Sequence, residues 1–229
     1  VNLKTELIPV IAIDGPSGSG KGTVSRAVAA ALGWHFLDSG ALYRLVALQG
    51  LKQGLEPGDE PGHARLASQM RIRFGSRPDG TEMFFLEGAD VTGDLRSEAT
   101  GSAASRVAAM PAVRTALFAR QQRFAESPGL VADGRDMGTV VFPTAGLKIF
   151  LTATPEERAR RRHKQLKDKG VDVSLAALSR EIAERDARDT GRKVAPLKAA
   201  PDAVVLDSTG LDVEEVVARI LRLARERFR

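Results

Sequence analysis

Residues 9–14, PVIAID, form a short apolar run rich in β-branched side chains. After a stretch of glycines, Val24, Ala27, Val28, Ala31 and Leu32 recur at the spacing of one helix face. Gly33 stands where a left-handed cap would end that helix. WHFLD at 34–38 follows as a second strand, so the predicted opening is strand, glycine loop, helix, strand. GLVAD (129–133), LKIFLTA (147–153) and AVVLD (203–207) are further short apolar runs, separated by helical stretches. The alternation predicts an α/β fold: buried strands in a parallel sheet, right-handed crossovers, and helices on both faces.

Between 71 and 92 the pattern changes. RIRF alternates polar and apolar, GSRPDG is a turn, and TEMFFLEGADV reads as extended. A small antiparallel sheet is predicted here, inserted in the α/β core, with GLEPGDEPGH at 54–63 as its linker. Thr154-Pro155-Glu156-Glu157 is a helix start, with Thr as N-cap and Pro at the first helical position. That helix is expected to end near Gly170, and SLAALSREIAERDARD (174–189) forms another. The last helix begins near Leu211, with Val213, Val216, Val217, Ile220 and Ala224 on its apolar face and RLARERFR as a basic, frayed tail.

Composition narrows the chemistry. The 229 residues contain no cysteine, which removes disulfides, thiolate metal sites and a cysteine nucleophile. His35, His63 and His163 are far apart and lie in no metal motif. No apolar run approaches the ~20 residues of a membrane span. The N-terminal VNLKTELIPVIAID lacks a secretory pattern. A cytoplasmic protein is expected. The net charge is +5, and arginines outnumber lysines 25 to 9. Arginine grips phosphate with two hydrogen bonds where lysine is a point charge.

Gly15-Pro16-Ser17-Gly18-Ser19-Gly20-Lys21-Gly22-Thr23 carries the framework G-x-x-x-x-G-K, with a hydroxyl one place later than the common pattern. A buried strand leads in and an amphipathic helix leads out. In that context backbone N–H groups and the helix N-terminus attract phosphate. Lys21 then bridges β- and γ-phosphates, and the Thr23 hydroxyl reaches magnesium or its water shell. A nucleoside-triphosphate binder follows, without a stated reaction. A regulatory GTPase would carry N-K-x-D for guanine, which is absent. The string Asp90-Val91-Thr92-Gly93 matches D-x-x-G only by coincidence inside the insert.

Ser39 and Arg44 follow the second strand and Arg135 follows the third, at strand C-termini where open α/β sheets bind ligands. Arg185, Arg188 and Arg192 recur at spacings of three and four, one helical face if the helix persists. Asp133, ending GLVAD, serves equally as a magnesium-linked carboxylate or as an anchor for Arg135 or a nucleotide.

DGPSGSGKGT (14–23), LDSGALYR (37–44), VADGRDMGTVVFP (131–143), ERDARDTGR (184–192) and VLDST (205–209) together resemble bacterial cytidylate kinases, in the same order over nearly the whole chain. The resemblance implies transfer of the ATP γ-phosphoryl group to CMP or dCMP, with Mg2+, by a monomer. It implies one P-loop kinase domain with a five-stranded parallel sheet flanked by helices. A monophosphate-binding insert would span 62–104 and a helical lid 155–172. It further implies that Ser39, Arg44, Arg135 and Arg192 hold the acceptor phosphate. Ser105, Arg114 and Asp136 would read cytosine, and Arg185 and Asp189 the ribose. Of the lid cations Arg158, Arg160, Arg161, Arg162, Lys164, Lys167 and Lys169, Arg158 and Arg162 are expected to neutralise the transferring phosphoryl.

Two other readings compete. A P-loop kinase for UMP, AMP or shikimate shares the loop but not the acceptor strings. A nucleic-acid-binding module would explain the pI near 9.8 and the basic helix at 158–169. One Trp and one Tyr make a poor stacking platform for single strands.

Overall fold

A computed structural model of the chain describes residues 8–77, 82–168 and 170–228. Lys169, the tip of the predicted turn at 78–81, the N-terminal residues 1–7 and Arg229 lie outside the described residues. In chain order the elements are β1 (Val10–Asp14), α1 (Lys21–Leu32), β2 (His35–Asp38), α2 (Ser39–Lys52), α3 (Glu60–Gln69), β3 (Ile72–Ser76), β4 (Glu82–Leu86) and β5 (Ala89–Asp90). Then come α4 (Thr92–Leu95), α5 (Glu98–Val107), α6 (Pro111–Gln122), β6 (Leu130–Gly134), a π turn (Met137–Val141), β7 (Leu147–Thr152), α7 (Pro155–Lys167), α8 (Leu175–Thr190), β8 (Val204–Asp207) and α9 (Val213–Arg227). They fall into two compact units, 1–38 with 121–229, and 39–120.

The first unit holds a five-stranded parallel sheet in the order β2-β6-β1-β7-β8. Each predicted strand is present. β1 is central and buried throughout, which follows from its run of Val, Ile and Ala between two neighbouring strands. Side chains alternate along it, so Ile11 and Ile13 join Val24, Val28, Ile149, Leu151, Val216 and Ile220 in the core between sheet, α1 and α9. Ala12 and Asp14 face the other way. The strand 203–207 departs from the expectation of a buried strand: Val204 and Val205 are 41% and 61% exposed, because β8 is a sheet edge.

Helix α1 ends at Gly33 with φ 66°, as its sequence predicts. Its buried face is Lys21, Val24, Ser25, Val28 and Ala29, whereas Ala31 is exposed. Alanine is small enough to sit on either side of a helix and marks a face poorly. Thr154 accepts from the Glu157 N–H at 3.3 Å and starts α7 behind Pro155. Ser174 caps α8 in the same way. A capping box of Asp212 and Glu215 starts α9. The expected frayed tail is helical through Arg227. Phe228 packs edge-on against Trp34 at 5.3 Å, and Arg227 Nε donates to the Gly146 carbonyl at 2.7 Å.

The second unit contains the predicted antiparallel sheet, β3-β4-β5, and helices α2 to α6. Helix α2 is apolar on nearly every side and buried, from Ala41 to Leu48 apart from Arg44. The segment 54–63 is only partly a linker. Asp59 accepts from the Gly62 N–H at 2.9 Å and, with Pro61 in the first turn, starts α3 inside it.

Ile220 is fully buried in the α1/α9 core, whereas Val213, on the same helix, is 38% exposed. Ile220→Ala is expected to lower unfolding free energy by about 2–5 kcal/mol and Val213→Ala by less than about 1 kcal/mol, measured by urea denaturation.

Candidate active site

The glycine loop leaves β1 at Gly15, whose backbone runs so close to β7 that an added Cβ would stand 2.0 Å from the Leu151 carbonyl oxygen. Gly18 (φ 77°) and Gly20 (φ 87°) adopt the left-handed region, and Gly20 caps α1 directly. Lys21 is buried, and its Nζ donates to the Pro16 carbonyl at 2.9 Å. Burial pushes its pKa down to about 7, aided by the Arg135 guanidinium and opposed by Asp133.

Helix α7 holds this loop from outside. Arg158, itself buried, donates to the Ser17 carbonyl at 3.0 Å and to the Ala153 carbonyl at 3.1 Å, and pairs with Asp186 of α8 at 2.5 Å. Arg161 donates to the Ser19 carbonyl at 3.3 Å, to Ser208 Oγ at 3.0 Å and to the Ser208 carbonyl at 2.6 Å. In a planar trans peptide C=O and N–H point opposite ways. Drawing the carbonyls of Ser17 and Ser19 toward α7 therefore turns the N–H groups of Gly18 and Gly20 away from it. Arg162 bonds Gln165 on its own helix at 3.3 Å. Of the expected pair Arg158 and Arg162, the structure brings Arg158 to the loop. Arg161 joins it there, although the run RARRR offers no signal that would single it out.

Asp133 ends the buried part of β6. Burial raises its pKa to about 7 against the pull of Lys21, with Asp38 adding to the rise. Its Oδ2 would lie 3.3 Å from a Cβ on Gly22, next to Thr23, and its Oδ1 is buried without a hydrogen-bond partner among the described residues. A hard dication takes oxygen ligands, and an orphaned carboxylate oxygen beside the start of α1 fits Mg2+, whereas Thr23 is exposed. Among the described residues no cluster of three or more His, Asp or Glu side chains could hold a metal on its own.

Beyond β6, Arg135 pairs with Asp189 at 3.1 Å and donates to the Gly134 carbonyl at 3.1 Å. Asp189, buried on α8, also accepts from Arg192. Burial alone would raise the Asp189 carboxyl, but Arg135, Arg192 and Arg185 outweigh it and hold the pKa below the usual value. Residues far apart in sequence thus form one Arg–Asp–Arg bridge. Asp136, also buried, begins the π turn, its carbonyl accepting from Val140 and Val141 at 2.9 and 3.2 Å. Asp14, the last residue of β1, accepts from the N–H groups of Met137 and Gly138, both at 2.8 Å.

Within the second unit, Ser39 is buried at the start of α2. Arg44 donates to the Leu95 carbonyl at 2.9 Å, and Gly101 of α5 leaves room for its guanidinium. Ser105 is buried on α5. Arg114 on α6 is buried, donates to the Ala108 carbonyl at 3.2 Å and lies 5.8 Å from the Tyr43 ring. The D-x-x-G string is a turn in which Thr92 N–H donates to Asp90 at 2.9 Å.

Burial lifts the Asp14 pKa from 3.8 to about 6, with its two backbone hydrogen bonds pulling the other way. A carboxyl raised on folding stabilises fully below its unfolded pKa and loses that contribution as pH climbs through the folded one. The unliganded protein is expected to lose up to about 3 kcal/mol of stability from this group between roughly pH 4 and 7. Urea unfolding against pH should show a shallower fall in Asp14→Asn.

No helix among the described residues is long and apolar enough to cross a membrane. An uncharacterized protein from Eubacterium ventriosum has a similar fold, with TM-score 0.52, 12% identity, and coverage of 96% of this chain and 99% of that one. The cytidylate kinase of Stutzerimonas stutzeri is 60% identical over 221 residues, 96% of each chain. That of Klebsiella pneumoniae is 55% identical over 224 residues, 98% of each. The family model for cytidylate kinase matches residues 11–226. With that span and those identities, the chain belongs to the cytidylate kinase family.

Proposed function

We propose that this chain transfers the γ-phosphoryl group of ATP to CMP or dCMP, giving ADP and CDP or dCDP. Family membership supports the reaction. The observation that supports the site is the glycine loop at the head of α1, with Lys21 buried and donating to Pro16, and left-handed Gly18 and Gly20 around it. Beyond β6, Arg135 and Arg192 share the buried Asp189 and would form the acceptor side.

The loop Gly15 to Thr23 takes the ATP phosphates with backbone N–H groups and the Lys21 ammonium. A triphosphate favours the charged lysine that burial alone disfavours. Ser39, Arg44, Arg135 and Arg192 hold the acceptor phosphate. Cytosine N3 and O2 accept and its amino group donates, so Arg114 with Asp136 and Ser105 supplies the complement. Arg185 and Asp189 meet the ribose hydroxyls. Asp189 keeps Arg135 and Arg192 in place when their phosphate is absent.

Thr23 and Asp133 would hold magnesium, directly or through water. When bound, the ion supplies neutralisation of phosphate charge. Arg158 supports the loop from behind. Arg162 would meet the transferring group, and in the lid segment 155–172 the part beyond the Arg158 and Arg161 anchors would close when both nucleotides are bound. Such closure would suppress ATP hydrolysis without acceptor.

Assays of ADP formation with CMP, dCMP, UMP, AMP and shikimate test the reading. CMP or dCMP should be preferred, and preference for any other acceptor overturns it. Lys21→Ala should lower kcat by roughly 10²-fold or more with its circular dichroism and melting curve retained. Arg114→Ala and Asp136→Ala should each reduce the CMP-over-UMP preference by roughly tenfold, leaving the KM for ATP within about threefold.

A further inference from the structure

Asp14 is used by none of the roles above, yet it is buried at the end of β1, directly before the phosphate loop. Its backbone pairs with Gly134 in the β1–β6 ladder. Its two carboxylate oxygens accept separately from Met137 N and Gly138 N, each at 2.8 Å. One residue therefore fastens the chain immediately before and immediately after Arg135–Asp136. The next residue along is Gly15, the first of the phosphate loop.

The first N–H groups of any helical turn have no partner inside it. For this π turn the partner comes from another strand, and Asp14 serves as its cap across the sheet. The turn is built for close approach. A Cβ on Gly138 would lie 3.1 Å from the Lys148 side chain and 3.5 Å from Asp14 Oδ2, and one on Gly134 would meet the Met137 side chain at 2.7 Å. Burying a carboxylate is unfavourable unless its hydrogen bonds are made, so the arrangement constrains the turn to one position.

We propose that Asp14 is a positioning residue that sets Arg135 and Asp136, and with them the acceptor phosphate and cytosine, in register with the phosphate loop. The inference rests on the acceptor roles given above to Arg135 and Asp136. It assigns a function to the strand–loop junction that neither nucleotide site includes. Asparagine at this position keeps the shape and one acceptor but turns an N–H₂ toward the second backbone N–H. The turn must then shift, while the loop glycines and Lys21 keep their own contacts.

Steady-state kinetics of Asp14→Asn beside Asp136→Ala test it. For Asp14→Asn, the KM for CMP should rise by about tenfold or more and the CMP-over-UMP preference should fall by at least about threefold. The KM for ATP should stay within about threefold. Hydrogen exchange of a peptide spanning 135–141 should accelerate while one from α9 is unchanged. An unaltered CMP preference, or KM values for CMP and ATP rising together, overturns the proposal. If Asp14→Asn does not fold, Gly138→Ala should give the same split at reduced size, and its absence overturns the proposal equally. Should Asp136→Ala shift the preference while Asp14→Asn does not, the positioning role alone fails. Should neither shift it, the acceptor assignment itself fails.

Discussion

The buried ammonium of Lys21 organises the first unit. It sits under a glycine loop whose backbone carbonyls are pulled outward, and its own proton donor is turned back onto Pro16. A cation stripped of water is unstable as a charge, which is why its pKa falls to about 7. The nearest guanidiniums deepen that discomfort and Asp133 relieves part of it. A site of this kind is at its least favourable when empty and gains most from an anion. Under the proposed reading, an incoming phosphate would relieve that instability.

That electrostatic strain needs a rigid frame, and the frame is made from the same residue type. Arginine is used here in two ways. Arg158 and Arg161 point their donors at backbone carbonyls and at Asp186 or Ser208, where the planar fork satisfies several acceptors at once. Arg135 and Arg192 instead share a single buried carboxylate, Asp189. One carboxylate thereby holds two guanidiniums from different segments together. The first pair shapes the loop, and the second is gathered on one buried carboxylate.

Much of this was legible along the chain. β1, the loop glycines, Lys21, the Gly33 cap and the Thr154 cap follow from local spacing and local stereochemistry, and each is where its pattern predicts. What stayed hidden depends on partners far away in sequence. Arg158, Arg161 and Arg162 look alike in RARRR, and only the carbonyls of Ser17 and Ser19, some 140 positions earlier, separate them. The basic tail reads as frayed because Trp34 and Gly146, which receive Phe228 and Arg227, are not adjacent to it in sequence. β8 reads as buried from its valines because sequence records hydrophobicity but not which strand ends a sheet. Asp14 closes the run PVIAID with no local sign of a partner, because its two backbone partners lie more than 120 residues on.

Three of these long-range contacts share a logic. In each, a side chain of one segment satisfies backbone groups of another: Arg158 on Ser17, Arg161 on Ser19 and Ser208, Asp14 on Met137 and Gly138. A backbone group left unpaired in the interior destabilises by about 1–3 kcal/mol, so such a bond is hard to give up. It also fixes orientation, because a held carbonyl or N–H fixes the whole peptide plane. A phosphotransferase needs donors aimed at two anions that repel each other. Side-chain-to-backbone bonds of this kind would set such directions in the folded chain, leaving less to reorganise during the proposed transfer.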